Sequence, residues 1–339
     1  MAKEAKVGDI TMRRAMVVDK YSDLVTEVRE GRRALTDVYR EALQRKKTSA
    51  ADQSRPKPSK HMITLITHTG KKVPYQLPKG KSKFNETNEC VGWARHTWNP
   101  ITGCLHDCDW GCYARELAHR DHYAPYYPVG FTPLFHHERL DAPANTPVPE
   151  EAATDTSWRR VFVVSMGDLF GSWISDDIVR QVLQVCHDNP QWEYLFLTKN
   201  PRRYLSLPIP LPPTAWAGTS IDRQNRVKLA EEVFKKIKSR VNWASCEPMM
   251  EHLRFHDLTP FDWIVSGALT ATNQPEGPKP AFAPDLEWVA DLRKQAHAAG
   301  AKVFEKVNLL GDTHSQKPGM KLCQEVPNPP LLTALKAAE

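Results

Sequence analysis

Three of the chain's seven cysteines fall within nine residues, in the run Cys104-Leu105-His106-Asp107-Cys108-Asp109-Trp110-Gly111-Cys112-Tyr113. Thiolates repel one another and desolvate poorly, so a cluster this dense needs a soft cation or an oxidised bridge. A disulfide joins two and leaves the third over. Three cysteines on one short loop can instead each take a corner of an iron–sulfur cubane, leaving the fourth iron open to a small chelating molecule. The alternative is zinc, with His106 or His119 completing a tetrahedral set. Structural zinc usually draws on paired knuckles from two segments, and Cys90, Cys186, Cys246 and Cys323 each stand alone.

The run Asn99-Pro100-Ile101-Thr102-Gly103-Cys104, then Cys108, then Cys112-Tyr113-Ala114-Arg115 resembles the cluster loop of radical S-adenosylmethionine (SAM) enzymes. Within that superfamily it is most similar to the phage-type three-cysteine-motif proteins, a group distantly like spore photoproduct lyase. The usual loop leaves three residues and then two between cysteines, whereas this one leaves three and three. The resemblance covers about residues 91–311. It implies a partial or full parallel (β/α) barrel, a [4Fe-4S] cluster on Cys104, Cys108 and Cys112, SAM as second cofactor, and an electron donor such as flavodoxin or ferredoxin.

The elements that must position this loop are legible as alternating patterns. Val161–Met166, Tyr194–Thr198, Ala215–Thr219, Val241–Cys246, Trp263–Ser266 and Lys302–Phe304 read as strands. Continuous apolar runs of this kind suit strands covered on both faces. Helices are expected at Asp176–His187, Arg223–Ile237 and Leu286–Ala299. Strand-helix alternation implies an α/β fold with a parallel sheet. The stretch 121–157 and the Pro-rich 205–213 read as loops, the first long enough for a lid or insertion.

In parallel barrels the strand ends face a common mouth, and here they are polar. Gly167 and Asp168 follow the first of these strands, Lys199 the second, Thr219 and Ser220 the third, Cys246 and Glu247 the fourth, and Lys306 the last. A lone member would be a capped turn, but the recurrence is informative. By resemblance, Gly167 and Asp168 hold the methionine amino group, Thr219 and Ser220 meet the ribose hydroxyls, and Trp110 or Tyr113 packs beside cluster and adenine. Lys199, Glu247 and Lys306 match positions characteristic of the phage-type group and are expected to line the mouth as the catalytic and substrate-holding set. Two positions depart from that group: Ser266-Gly267-Ala268 lacks an acid, and Lys306 is followed by Val307 rather than Gln. Cys246 reads as a buried core cysteine before it reads as a hydrogen-atom donor, since Glu247 beside it takes the opposite strand face.

The net charge of +6 is uneven: residues 1–90 hold 20 Lys and Arg against 11 Asp and Glu, or +9, which leaves −3 for the remainder. Such a basic arm suits contact with a polyanion. Within residues 1–47, a helical pattern at Leu24, Val25 and Val28, then Gly31, then Leu35, Val38, Tyr39 and Leu43 is that of a helix-turn-helix or of a packed helical hairpin, and is faintly similar to the closing helices of ParB-type DNA-binding proteins. Residues 48–60 read as a linker, 61–90 as a small strand pair with a basic loop, 91–311 as the barrel and 312–339 as a C-terminal tail. No apolar run approaches the roughly 20 residues of a membrane span, and no secretory signal opens the chain, so a cytoplasmic protein is expected. The expected function is a radical SAM enzyme acting on a nucleic acid or nucleotide, in modification or repair. A zinc-stabilised, non-catalytic nucleic-acid-binding protein and a SAM-independent redox sensor are the competing classes.

Overall fold

The structure is a computed structural model that describes residues 22–30, 32–34, 37–38, 41–42, 45, 58–87, 91–310 and 321–329. The chain divides into two compact units, residues 1–59 with 78–80, and residues 60–77 with 81–339. In the first unit, helix α1 (Ser22–Arg29) carries Leu24, which is buried with Val38 and Ala42, with Val25 and Val28 packed against them. Arg33 pairs with Glu27 and Glu41, and Arg45 with Asp23 and Glu41, so part of the arm's positive charge is already matched. Leu35, Tyr39 and Leu43 of the expected second helix lie outside the described residues.

The second unit is built on strands β1 (Pro58–Thr67), β2 (Lys72–Pro78), β3 (Asn85–Glu86), β4 (His96–Trp98), β5 (Ile101–Thr102), β6 (Leu134–Phe135), β7 (Arg160–Val163), β8 (Glu193–Thr198), β9 (Ala215–Ser220), β10 (Val241–Cys246), β11 (Trp263–Ser266), β12 (Thr272–Gln274), β13 (Gly277–Lys279) and β14 (Lys302–Glu305). Helices α2 (Tyr113–His119), α3 (Asp176–Asp188), α4 (Val227–Phe234) and α5 (Leu286–Ala298) connect them. The large sheet runs β14-β11-β10-β9-β8-β7-β4-β3. From β4 to β14 every pairing is parallel, and β3 is antiparallel at the edge. The parallel strands succeed one another in sequence order, which places all right-handed crossovers on one face, the winding of a barrel rather than of a doubly wound sheet. The barrel stays open, because among the described residues β14 pairs with neither β3 nor β4.

Strand alternation separates two apolar layers. Val161, Tyr194, Ala217, Ala244, Ile264 and Val303 face the helices. Phe162, Leu195, Trp216, Trp243, Trp263 and Phe304, one residue along, fill the other face with Trp93. Gly218 is required there: a Cβ at this position would lie 2.3 Å from the Trp243 ring. Helix α3 shows how sequence sets a crossover. Ser175 caps it by accepting from the Ile178 N–H, Asp176 and Asp177 occupy the first turn, and Val179, Val182, Leu183 and Cys186 form the buried stripe.

Several expectations change. Strand β7 ends at Val163 rather than at residue 166, because Val164 turns into the left-handed region (φ 57°), a costly conformation for a β-branched residue. The first parallel strand is β4, whose three residues carry no apolar run to betray it. The expected strand pair β1–β2 exists, turning at Gly70 (φ 81°), but it belongs to a four-stranded sheet β2-β1-β6-β5 that takes in the residues just before the cysteine loop. β1 begins at Pro58, inside the stretch read as linker. Helix α4 is shorter than the expected 223–237, since residues 224–226 form a 3-10 turn first. Residues 321–329 run along the sheet: the Glu305 N–H donates to the Cys323 carbonyl and the Glu325 N–H to Val303, each at 2.7 Å. Further on, Arg160 donates to the Pro327 carbonyl and Arg240 to that of Pro329.

Candidate cluster-binding site

Asn99, unremarked beyond its place in the motif, anchors the cysteine loop. Its Oδ1 accepts from the Met166 N–H at 2.9 Å, and its side chain bonds the Ser165 hydroxyl. Gly103 follows, with φ 85° and its N–H donating to the Met166 carbonyl at 2.8 Å. A Cβ on Gly103 would lie 2.5 Å from the Thr132 backbone, and one on Gly167 would lie 2.6 Å from the Gly103 carbonyl, so two glycines let two backbones touch. The cysteine loop therefore starts at the carboxyl end of β7, on the rim where the strand-end residues also gather.

Each thiol meets a donor. The His106 N–H lies 3.5 Å from Cys104 Sγ, and Lys199 Nζ lies 3.1 Å from Cys108 Sγ. The N–H groups of Arg115 and Ala114, in the first turn of α2, favour the thiolate of Cys112. Burial works the other way, pushing the Cys112 thiol up and that of Cys104 up to about 12. Half-buried sulfurs clustered on one loop, with donors aimed at two of them, suit a bound cationic centre.

Asp168 organises the loop from beneath. Its Oδ2 faces His106 Nε2 at 2.6 Å and accepts from the Thr198 hydroxyl at 2.9 Å and the Lys199 N–H at 3.0 Å. Its Oδ1 accepts from the Phe170 N–H. Lys199 carries on the network, reaching Asp222 Oδ2 at 2.6 Å and lying 4.3 Å from the Trp110 ring centre. Asp222 is fully buried, and Arg226 holds its other oxygen at 2.8 Å. Arg223 stacks on Trp110 and pairs with Asp109. Tyr113 donates to the Ser165 carbonyl.

The strand-end set divides. Lys199 joins the cysteine loop, whereas Lys306 Nζ pairs with Glu247 Oε1 at 2.6 Å, joined by Asn308 at 3.4 Å. Gly267 sits under Glu247 where a Cβ would collide with the carboxyl at 2.9 Å. The Thr219 hydroxyl donates to the Thr198 carbonyl, and Ser220 is buried. Cys246 is fully buried among the helix-facing residues.

Sequence reasoning did not find Asn99, the pairing of Asp222 with Lys199, or the β12–β13 hairpin. The turn signal Pro275-Glu276-Gly277 was available for the last. A Cβ on Gly111 would lie 2.3 Å from Thr272 Oγ1, so the hairpin rests directly on the cysteine loop, and Arg115 pairs with Glu276 at 3.0 Å. Between loop and hairpin opens a cavity of about 240 Å³ lined by Trp110, Arg223, Met250, Lys279 and Phe282.

Zinc fits this loop poorly. Tetrahedral zinc holds thiolate sulfurs about 3.8 Å apart and nitrogen or oxygen ligands about 3.3 Å apart. Among the described residues, the loop thiols form no set of three donors within 4.8 Å of one another. His106 Nε2 faces Asp168 and His119 Nδ1 faces the Arg115 carbonyl at 2.7 Å, which leaves each ring its other nitrogen. A cubane holds its three thiolates further apart than one metal ion does, and the three-cysteine donor set suits it.

Fold and site together define an α/β protein whose parallel sheet carries a three-cysteine loop on its carboxyl rim. The chain belongs to DUF5131, a family of proteins of unknown function, whose profile matches residues 88–317. A search among curated proteins gives no match. Among solved structures, spore photoproduct lyase complexed with dinucleoside spore photoproduct is similar at 12% identity and a TM-score of 0.40, covering 67% of this chain and 81% of that one. A likeness that distant assigns no function. No helix among the described residues is long and apolar enough to cross a membrane.

Proposed function

We propose that the protein is a radical SAM enzyme of the phage-type three-cysteine group, holding a [4Fe-4S] cluster on Cys104, Cys108 and Cys112 and acting on a nucleic acid or nucleotide. The observation that carries this reading is that three half-buried thiols sit on one rim loop, with the His106 N–H facing Cys104 and Lys199 Nζ facing Cys108. When bound, cluster and SAM supply one-electron reductive cleavage to a 5'-deoxyadenosyl radical, fed by a small electron carrier such as flavodoxin or ferredoxin.

The protein's own part is orientation and exclusion of water. Asp168 fixes His106 and the Lys199 backbone, and so the bend that presents Cys104 and Cys108. Gly167 lets the chain after β7 lie against Gly103 and so seats the cysteine loop on the rim. The cavity beside Phe282 suits a planar base, with Lys279 at its wall placed for phosphate. Glu247 and Lys306, already sharing a short hydrogen bond, can hold a polar substrate group and move a proton between them.

Anaerobic reconstitution with iron and sulfide tests the reading. About four irons per chain and 5'-deoxyadenosine from SAM are expected for the wild type, and neither for Cys108→Ala. A colourless wild-type protein that takes up zinc instead, with that uptake lost in Cys108→Ala, would assign the chain to the non-catalytic binders.

A further inference from the structure

The sequence leaves Cys323 isolated, yet the fold gives it two companions. Cys323 and Glu325 are two residues apart on the extended segment that pairs with β14, so both side chains leave the same side of it. His297 comes from the last turn of α5, the helix that precedes β14. The three donor atoms, a thiol sulfur, an imidazole nitrogen and a carboxylate oxygen, all lie within 4.8 Å of one another. His297 Nε2 is already 3.0 Å from Glu325 Oε2, close to the separation that two ligands of one tetrahedral ion keep. Backbone groups hold the set in place: the Val303 N–H donates to Glu325 Oε2 at 3.0 Å, and the Cys323 N–H donates to Glu305 Oε2 at 2.8 Å. These are the outer hydrogen bonds that orient ligands in metal sites.

We propose that His297, Cys323 and Glu325 form a second metal site, for a zinc ion, that clamps the segment 321–329 to the open edge of the sheet. The donor chemistry selects the ion. A thiolate and an imidazole prefer a borderline-soft divalent cation to magnesium or calcium, and one carboxylate brings the set to three protein ligands with water as the fourth. His297 is exposed, which gives the ion a path in. The position gives the clamp its purpose. Besides its two bonds to β14, the segment accepts from Trp263 Nε1 at the Glu325 carbonyl (2.9 Å), and from Arg160 and Arg240 further along. It thereby covers the free edge of β14 and the amino-terminal end of the sheet, at the opposite end of β14 from Lys306. Neither the ligands nor the test depends on the cysteine loop.

Cobalt(II), whose thiolate complexes absorb strongly in the near ultraviolet, reports the site in the full-length protein. The thiolate band is expected to persist when Cys104, Cys108 and Cys112 are replaced by serine and to vanish in Cys323→Ser with the loop intact. Zinc should raise the unfolding temperature of the wild type and of the loop variant but not of Cys323→Ser. His297→Ala and Glu325→Gln should weaken zinc binding at least tenfold while leaving the metal-free unfolding temperature unchanged, which also answers the case of a loop variant that does not fold. An undiminished cobalt–thiolate band in Cys323→Ser, or wild-type zinc affinity in both His297→Ala and Glu325→Gln, overturns the proposal.

Discussion

Two side chains near the loop make the energetics concrete. Asp168 is 3% exposed and accepts at both oxygens, so Asp168→Asn puts an amide N–H₂ where acceptors are needed. The expected cost is about 1–3 kcal/mol in urea unfolding, with faster loss of bound iron. Unchanged stability would mean that the loop is anchored elsewhere. His136, fully buried behind the loop between Thr102 and Glu138, has its pKa lowered to about 4 by burial and then by the charge of Arg139. An unfolded histidine takes up its proton near the ordinary value of 6.5. Between these two values the unfolded chain binds more protons, so stability falls as pH drops through that window, by roughly 3 kcal/mol in full. His96, shifted the same way by burial, adds to the slope. Stability measured between pH 7 and 4 should lose much of this slope in His136→Gln.

At the scale of elements, the open barrel depends on its aromatic layer. Trp93, Trp216, Trp243 and Trp263 meet edge-on or tilted at ring distances of 5.2 to 6.0 Å. They fill the space that closure would otherwise leave between distant strands. Gly218→Ala would drive a methyl into the Trp243 ring and is expected to cost about 1–3 kcal/mol, whereas Ala217→Gly, on the helix-facing side, would lose strand propensity without a collision. Equal effects on the denaturation midpoint would show that the layer is not tightly packed. The strands of this layer were legible in the sequence because apolar runs bounded by turns mark them. Strand β4 was not, because three residues of mixed polarity become a strand only when β7 is there to pair with them.

For the whole molecule, charge separates the arm from the sheet. Residues 1–57 hold 14 Lys and Arg against 9 Asp and Glu, so removing them lowers the net charge from +6 to +1. Among the described residues, Arg32, Arg33 and Arg45 pair with acids of the arm. Deletion of residues 1–57, which spares β1, is expected to weaken DNA or RNA binding and flatten its salt dependence, while iron content and SAM cleavage stay at the wild-type level. Unchanged affinity would assign polyanion contact to the second unit instead. The sequence by itself determined what depends on near neighbours: the density of thiols in one loop, the succession of strands and helices, the glycines beside the motif. Only the tertiary structure decided which side chains those thiols meet. Lys199 reaches Cys108 across 91 residues, Asp168 reaches His106 across 62, and Glu325 reaches His297 across 28. Such pairs are fixed by how strands stack in the sheet, and spacing along a chain carries no record of that stacking.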